Sequence, residues 1–115
     1  MIKLYGIRHW STVKKAFAWL EGNTITYEFH DYKKQGVPVD ELRKWIARQG
    51  WESIINTKGA TFRGLSDNQK KSFDKVNAID LAIENPSLIK RPILCNEKTL
   101  LIGFKLAEYE NAFKK

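Results

Sequence analysis

The sequence predicts an α/β protein with a four-stranded mixed sheet, and three observations lead to this fold class. A strand, a helix and a second strand follow one another at the start; the middle of the chain has a helical period; and two short strands and a helix end it. With 115 residues, the chain is long enough for one domain with a single core. We expect a single domain over 1–115, with a core of about residues 1–37 and 87–115 and an all-helical insertion of about 38–86.

The first predicted strand is Ile2–Gly6, and a helix follows it. Ser11 or Thr12 is expected to cap the first turn, and Gly22 is expected to end the helix. Apolar residues recur at helical spacing on one face of this segment: Val13, Ala16, Phe17 and Leu20. The start of such a helix carries free N–H donors and the positive end of the dipole, so it favours anions or thiolates.

The segment Thr24–His30 alternates between apolar and polar residues and predicts a half-buried strand. Strand, helix and strand in succession predict a parallel pair joined by a right-handed crossover. Asp31–Pro38 is expected to be a polar connection.

The insertion has a helical period from Val39 to Gly50, followed by one or two helical turns over Trp51–Ile55. Ser66 and Gln69 have capping-box spacing and predict a helix to about Phe73. We also predict an apolar stripe of Leu42, Trp45 and Ile46 and a loop over 56–61. Asn77 with Asp80 three residues later is a plausible start for a helix over 78–84, which Pro86 ends.

A hairpin is predicted after the insertion, with strands at Ile93–Cys95 and Thr99–Ile102. Gly103 then leads into a last helix whose apolar members include Leu106, Tyr109 and Phe113. The order without the insertion is β-α-β … β-β-α, which is the arrangement of a thioredoxin-like fold.

Composition limits the classes of function. The net charge of +7 favours an anionic ligand or partner, but the cations are spread along the chain without a nucleic-acid-binding motif, so we do not expect nucleic acid. Cys95 is the single cysteine, and with two histidines the chain has no credible zinc cluster. No apolar run is long enough to span a membrane, and no signal peptide is visible, so we expect a cytoplasmic protein.

Four separated segments resemble the ArsC family, most closely its YffB branch. They are Lys3–Ile7, Thr12–Ala16, His30–Lys34 and Pro86–Leu94, which occur in the family's order and are spread over most of the chain. The resemblance implies a thioredoxin-like fold with a helical insertion. It also implies kinship with glutathione- and glutaredoxin-linked arsenate reductases and with the Spx transcriptional regulators.

The resemblance places a cysteine nucleophile directly before the first helix, where this chain has Trp10. Reduction of arsenate or a disulfide needs a thiolate, whereas an indole offers only an N–H donor. Cys95 is expected about 10 Å along the strand from Pro92, at the wrong end of the sheet, where it acts as a small apolar residue.

Other positions match the family better. The resemblance matches Arg91 to the arginine that holds the oxyanion and Pro92 to the cis-proline. Lys58 stands near the position where relatives carry another oxyanion-binding arginine. Each also has a plain interpretation, as a surface cation or a loop lysine. The candidate anion- or glutathione-binding residues are Arg8, His9, Trp10, Ser11, Lys58, Arg91 and Pro92.

Two interpretations of Trp10 are open: it fills the space of the missing nucleophile over Pro92, or it stays exposed as an anchor for a partner.

Three candidate functions of the protein follow. The first is an inactive reductase that binds an anion or glutathione. The second is an Spx-like module whose helical insertion or Trp10 face contacts RNA polymerase or another protein such as glutaredoxin, with Gly50 matching a glycine of that contact in Spx. The third is a reductase that uses an external thiol. We expect a monomer with no bound cofactor.

Overall fold

The computed structural model describes residues 1–114, except for the side chains of residues 75 and 76. The chain forms two compact units. The first contains Met1–Gln35 and the chain from Arg91 onward, and the second is Gly36–Lys90. The predicted division after residues 37 and 86 stays a prediction about domain organisation. No helix in the described chain is long and apolar enough to cross a membrane.

The first unit is a four-stranded mixed sheet with helices, as predicted. Its elements in chain order are β1 (Ile2–Gly6), α1 (Ser11–Gly22), β2 (Tyr27–Asp31), α2 (Tyr32–Gln35), β3 (Ile93–Cys95), β4 (Leu100–Ile102) and α8 (Leu106–Ala112); the helices numbered between α2 and α8 belong to the second unit. The strands are ordered β2-β1-β3-β4; β1 and β2 are parallel, and the other two pairs are antiparallel.

The core of the first unit lies on one face of the sheet. It consists of five completely buried residues from β1, β3, α1 and α8, namely Leu4, Leu94, Ala16, Leu20 and Tyr109. Phe17 and Trp19 of α1 pack against this cluster with part of their surface exposed. The predicted apolar face of α1 is therefore the face that packs on the sheet.

The second predicted strand begins later than its alternating pattern indicated. The strand was expected from Thr24, but Thr24 has a left-handed φ of 58°, and β2 begins at Tyr27. The backbone N–H of Ile25 still donates to the Leu20 carbonyl, so these residues complete the C-terminal end of α1. Only the part of the alternating segment from Tyr27 onward therefore pairs with β1.

The connection after β2 also differs from the prediction, because it begins with the short helix α2. Asp31 caps this helix: its Oδ1 accepts a hydrogen bond from the Lys33 N–H at 2.9 Å, and its own N–H donates to Gln35 Oε1 at 3.2 Å. The sequence predicted Asp31 in a polar loop, whereas the residue is only 7% exposed. Its capping role depends on local backbone geometry, which the sequence pattern does not show.

The predicted hairpin of β3 and β4 forms, although β4 begins at Leu100 and not at Thr99, and Asn96 organises its turn. Asn96 Oδ1 accepts hydrogen bonds from the backbone N–H groups of Lys98 and Thr99, both at 2.8 Å. Gly103 follows β4 with φ of 79°, a conformation that favours glycine. In α8, Tyr109 is buried as expected, but Leu106 is 50% exposed and does not join the core.

The second unit is helical throughout its regular elements in the described chain. They are α3 (Val39–Gln49), α4 (Trp51–Ile54), α5 (Ala60–Arg63), α6 (Asp67–Lys71), α7 (Lys75–Glu84) and a 3₁₀ turn at Pro86–Leu88. The predicted stripe on α3 is buried, with Leu42 completely so. The predicted loop over 56–61 is shorter, because α5 begins at Ala60.

The capping box at Ser66 forms as predicted. Gln69 N–H donates to Ser66 Oγ at 3.1 Å, and Ser66 N–H donates to Gln69 Oε1 at 2.9 Å. The helix ends at Lys71, two residues before the predicted end. The next helix begins at Lys75, before Asn77, because the carboxylate of Asp74 already accepts the Asn77 N–H at 2.9 Å.

Candidate functional site

The junction between β1 and α1 brings Trp10 to the start of the helix. The Trp10 N–H donates to the Ile7 carbonyl at 3.0 Å, and its carbonyl accepts the Lys14 N–H at 3.1 Å, so Trp10 is the N-cap. A Cβ atom on Gly6 would come within 2.8 Å of Val13 Cγ2 and 3.8 Å of the Trp10 ring. Glycine at this position therefore makes room for the loop and the helix start.

Ser11 and Thr12 do not cap this helix, contrary to the sequence prediction. Ser11 is the first helical residue and is exposed, and Trp10 has no side-chain oxygen to accept the N–H groups of the first turn. The first turn carries no acidic residue either. The positive end of the α1 dipole is thus left without a compensating side chain from the first turn or from the N-cap.

Arg91 and Trp10 form the central contact of the site. The Arg91 guanidinium carbon lies 4.2 Å from the centre of the Trp10 ring, which is cation–π geometry. The Arg91–Pro92 peptide bond is cis, which the sequence alone could not show and the family resemblance implied, and Pro92 is completely buried. Tyr5, near the end of β1, pairs with Ile93 at the start of β3, so the residues that follow β1 and the residues that precede β3 lie at the same edge of the sheet.

Trp10 is partly exposed, and the two interpretations of its role stay predictions. Its ring packs against other groups of the site, yet the residue keeps part of its surface exposed. The Tyr32 ring meets it edge to face at 6.5 Å between centroids. The indole therefore occupies the site and is also accessible from outside.

A row of aromatic rings continues from Trp10 along the sheet. Tyr32 lies 6.0 Å from His30, and His30 lies 5.1 Å from Tyr5, between ring centroids. The Tyr32 hydroxyl is buried and has no hydrogen-bond partner in the described chain. Burial, with smaller contributions from Tyr5 and Cys95, raises the pKa of Tyr32 far above its usual value, so this phenol stays protonated.

Sequence reasoning missed Tyr32, although a signal was present. Tyr32 directly follows β2, and β1 and β2 are parallel, so the ends of both strands lie at the same edge of the sheet. Since the residues after β1 were assigned to the site, the first aromatic residue after β2 could have been assigned to it as well.

Arg8 is directed away from this contact. Its guanidinium lies 5.1 Å from the Phe29 ring centre and 5.5 Å from that of Phe17, on the aromatic side chains of β2 and α1. His9 is exposed in the loop between β1 and α1. The structure therefore brings together Trp10, Arg91 and Pro92, whereas Arg8 stacks on a different set of rings.

Lys58 and Gly50 belong to the second unit. Lys58 is exposed in the loop after α4, where its backbone N–H donates to Asn56 Oδ1 at 3.3 Å. Gly50 lies between α3 and α4 with φ of 86° and ψ of 148°, a conformation that side chains disfavour. The backbone alone therefore accounts for a glycine at position 50.

Cys95 lies at the opposite end of the strand pairing from Arg91. Its register partner is Lys3, near the start of β1, whereas Gly6 and Trp10 follow the end of that strand. It is half-buried. Among the residues that the structure describes, no group of three or more histidine, cysteine, aspartate or glutamate side chains is arranged to hold a metal ion.

Comparison with known proteins identifies the family. The model of the ArsC family matches residues 5–112. The chain belongs to the ArsC family. Among solved ArsC-like structures, the one named YFFB (PA3664) protein is 43% identical, with a TM-score of 0.93 over 97% of this chain and 98% of its own. An arsenate reductase (ArsC) related protein from Brucella melitensis is 40% identical, with a TM-score of 0.77 over 99% and 95% of the two chains.

Transcriptional regulators are also among the ArsC-like relatives. Global transcriptional regulator Spx 2 of Bacillus anthracis is 36% identical over 107 residues, which cover 90% of this chain and 80% of the relative. The family resemblance seen in the sequence is thus confirmed, and so is the thioredoxin-like fold. The relatives include proteins named for reduction and proteins named for regulation, so membership of the family leaves both classes of function open.

Proposed function

We propose that this ArsC-family protein is a redox-inert member that binds a small anion or glutathione beside Trp10 and Arg91. The observation that carries the proposal is the 4.2 Å stack of the Arg91 guanidinium on the Trp10 ring. Trp10 is the residue that matches the family's nucleophile position, and an indole has no lone pair available for attack. The protein is proposed to act as a cytoplasmic monomer.

The stack leaves Arg91 able to bind an anion. A cation–π contact uses the face of the guanidinium, whereas its five N–H donors lie in its plane and point outward. These donors match a carboxylate or a tetrahedral oxyanion in two-point geometry. The uncapped start of α1 adds a favourable dipole at the same edge of the sheet, which supports the binding of negative charge.

The same site is poorly equipped for reduction. A thiolate must attack arsenate or a disulfide, and the only cysteine of the sequence lies near the other end of β1, beside Lys3. Arg91 and the start of α1 can stabilise negative charge, but the loop between β1 and α1 contains no cysteine. Binding without turnover is therefore the function that these residues support best.

Calorimetric titration with glutathione and with arsenate tests this proposal, using Arg91→Leu and Arg8→Leu as a matched pair. Both changes remove one guanidinium, but only Arg91 contacts Trp10. At about 0.15 M salt, distant charges are screened, so Arg91→Leu should weaken binding about tenfold or more while Arg8→Leu changes it less than about threefold. Equal losses in the two variants would reduce the effect to net charge and contradict the proposed site.

A glutathione- and glutaredoxin-coupled turnover assay on the unmodified protein completes the test. We expect no reduction of arsenate above background. Turnover that survives Cys95→Ser would instead support an enzyme in which an external thiol attacks. Turnover that is lost in Cys95→Ser would assign the attack to Cys95.

A second candidate function is an Spx-like interaction module, and the 36% identity to Spx 2 favours it. The exposed part of the Trp10 ring would then contact a protein such as RNA polymerase or glutaredoxin. Binding of each purified partner should be lost in Trp10→Ala and kept in Trp51→Phe. Changes at Gly50 cannot test this function, because φ of 86° makes any side chain there a source of strain.

A further inference from the structure

A cavity of the first unit lies away from Trp10, between the end of α1 and α8. Its volume is about 410 Å³, within the range of small-ligand sites. Its lining residues are Trp19, Asn23, Ile25, Glu110 and Phe113. Trp19 lies nine residues after Trp10 on α1, or roughly 14 Å along the helix axis, so this cavity and the proposed anion site are separate.

Aromatic rings form the walls of this cavity and are held in place by the core. The Trp19 and Phe113 rings lie 5.7 Å apart at 40°, and both residues are half-exposed. The Trp19 ring also meets Tyr109 edge to face at 5.4 Å, and Tyr109 is completely buried. The indole is therefore fixed by the core while part of its surface is presented to a ligand.

The acceptors at the cavity come from Asn23 and Glu110. Asn23 uses its Nδ2 to donate to the Trp19 carbonyl at 2.8 Å, which leaves Oδ1 as an acceptor. The exposed Glu110 carboxylate forms no ion pair with any cation whose position the structure describes. In a chain of net charge +7, an unpaired carboxylate beside aromatic faces is a local site for positive charge.

We propose that this cavity binds a small organic cation, namely an alkylammonium or guanidinium group on an apolar body of about one ring. The cationic group would lie over the Trp19 face and pair with Glu110. Its apolar body would contact Ile25 and Phe113. A ligand of the same shape with a negative charge would meet the Glu110 carboxylate instead, so the cavity selects by sign of charge as well as by shape.

Titration followed by ¹⁵N-correlated NMR tests the proposal, with 2-phenylethylammonium as the probe and 3-phenylpropionate as its anionic counterpart. We expect the indole N–H signal of Trp19 to shift and saturate with the ammonium and to stay in place with the carboxylate. Glu110→Gln keeps the shape of the side chain and removes its charge, so it should weaken binding about fivefold or more.

Glu108→Gln is the matched control, since Glu108 is an exposed carboxylate of α8 that does not line the cavity. We expect binding in this variant to stay within about twofold of the unmodified protein. Failure to saturate, equal shifts with phenylpropionate, or equal losses in the two variants would each overturn the proposal. Binding of an arginine-rich peptide but of neither small probe would also overturn it, in favour of a protein-docking surface.

Discussion

Trp10 sets the chemistry of the site at the scale of one residue. Its ring is stacked under Arg91, and it occupies the N-cap of α1 without an oxygen to cap the helix. A thiol at the same position would meet a guanidinium and the positive end of a helix dipole, both of which favour the thiolate. The environment for a reactive cysteine is therefore present although the cysteine is not.

We predict that the thiol introduced by Trp10→Cys, in a Cys95→Ser background, has a pKa about one unit or more below the usual 8.5. The pH dependence of thiolate absorbance measures this pKa. Adding Arg91→Leu should raise the pKa again, because it removes the nearest stabilising charge. A thiol with a pKa at or above 8.5 would show that this helix start does not activate a nucleophile.

Gly6 is a second single residue on which we expect the stability of the fold to depend. A Cβ at this position would lie 2.8 Å from Val13 Cγ2, whereas one at Gly22 would meet nothing within 4 Å. We predict that Gly6→Ala lowers the free energy of unfolding by about 1–3 kcal/mol and that Gly22→Ala raises it by about 0.4–1 kcal/mol. Urea unfolding of the two variants measures both. Shifts of the same sign would contradict the packing argument.

The β3–β4 hairpin carries a testable feature at the scale of the element. The side-chain oxygen of Asn96 accepts two backbone N–H groups in its turn. We predict that Asn96→Ala lowers the free energy of unfolding by about 1–2 kcal/mol, because both donors lose their partner. Asn96→Asp keeps the acceptor and should cost about half as much or less. Denaturant unfolding followed by circular dichroism distinguishes the two, and equal losses would refute this role of the side chain.

Elements differ in how far the sequence predicts them. The periodicity of α1 and α3 and the capping box of α6 were read correctly, since side-chain spacing and local hydrogen bonds determine them. The predicted start of β2 was wrong because Thr24 is left-handed and Ile25 still bonds to the end of α1. The alternation of apolar and polar residues in the sequence gives no sign of either feature. The short helix α2 was missed because four residues are too few to show a period.

The candidate site was predicted in part, for a comparable reason. The antiparallel pairing of β1 with β3 places Ile93, which follows Pro92, opposite Tyr5 near the end of β1. The direction of a long side chain does not follow from that pairing. Arg8 was grouped with Arg91 on charge alone, but its guanidinium lies on Phe17 and Phe29.

Two tyrosines make the stability of the whole molecule sensitive to high pH. Burial raises the pKa of Tyr109, with a smaller contribution from Glu108, and burial also raises that of Tyr32, both from an ordinary value of 10.0. Because the folded-state pKa is the higher one, the contribution of each group to stability is complete below pH 10. It is lost as the pH rises above 10, where the unfolded chain ionises first.

We predict that Tyr109→Phe makes the free energy of unfolding fall less steeply between pH 10 and 12. The slope should decrease by up to about 1.4 kcal/mol per pH unit, the value for one proton. At pH 7 the variant should be as stable as the parent or slightly more so, since the Tyr109 hydroxyl is buried without a hydrogen-bond partner in the described chain. Denaturant titrations at several pH values test both statements, and an unchanged slope would contradict them.

The stack of Arg91 on Trp10 also makes the indole an optical probe of its own surroundings. Indole emission responds to nearby charge and to solvent, so any ligand that draws the guanidinium off the ring would change the colour or the intensity of the Trp10 fluorescence. Subtracting the spectrum of Trp10→Phe removes the emission of the other three tryptophans. Occupancy of the site can then be followed without a label, in the protein as it is.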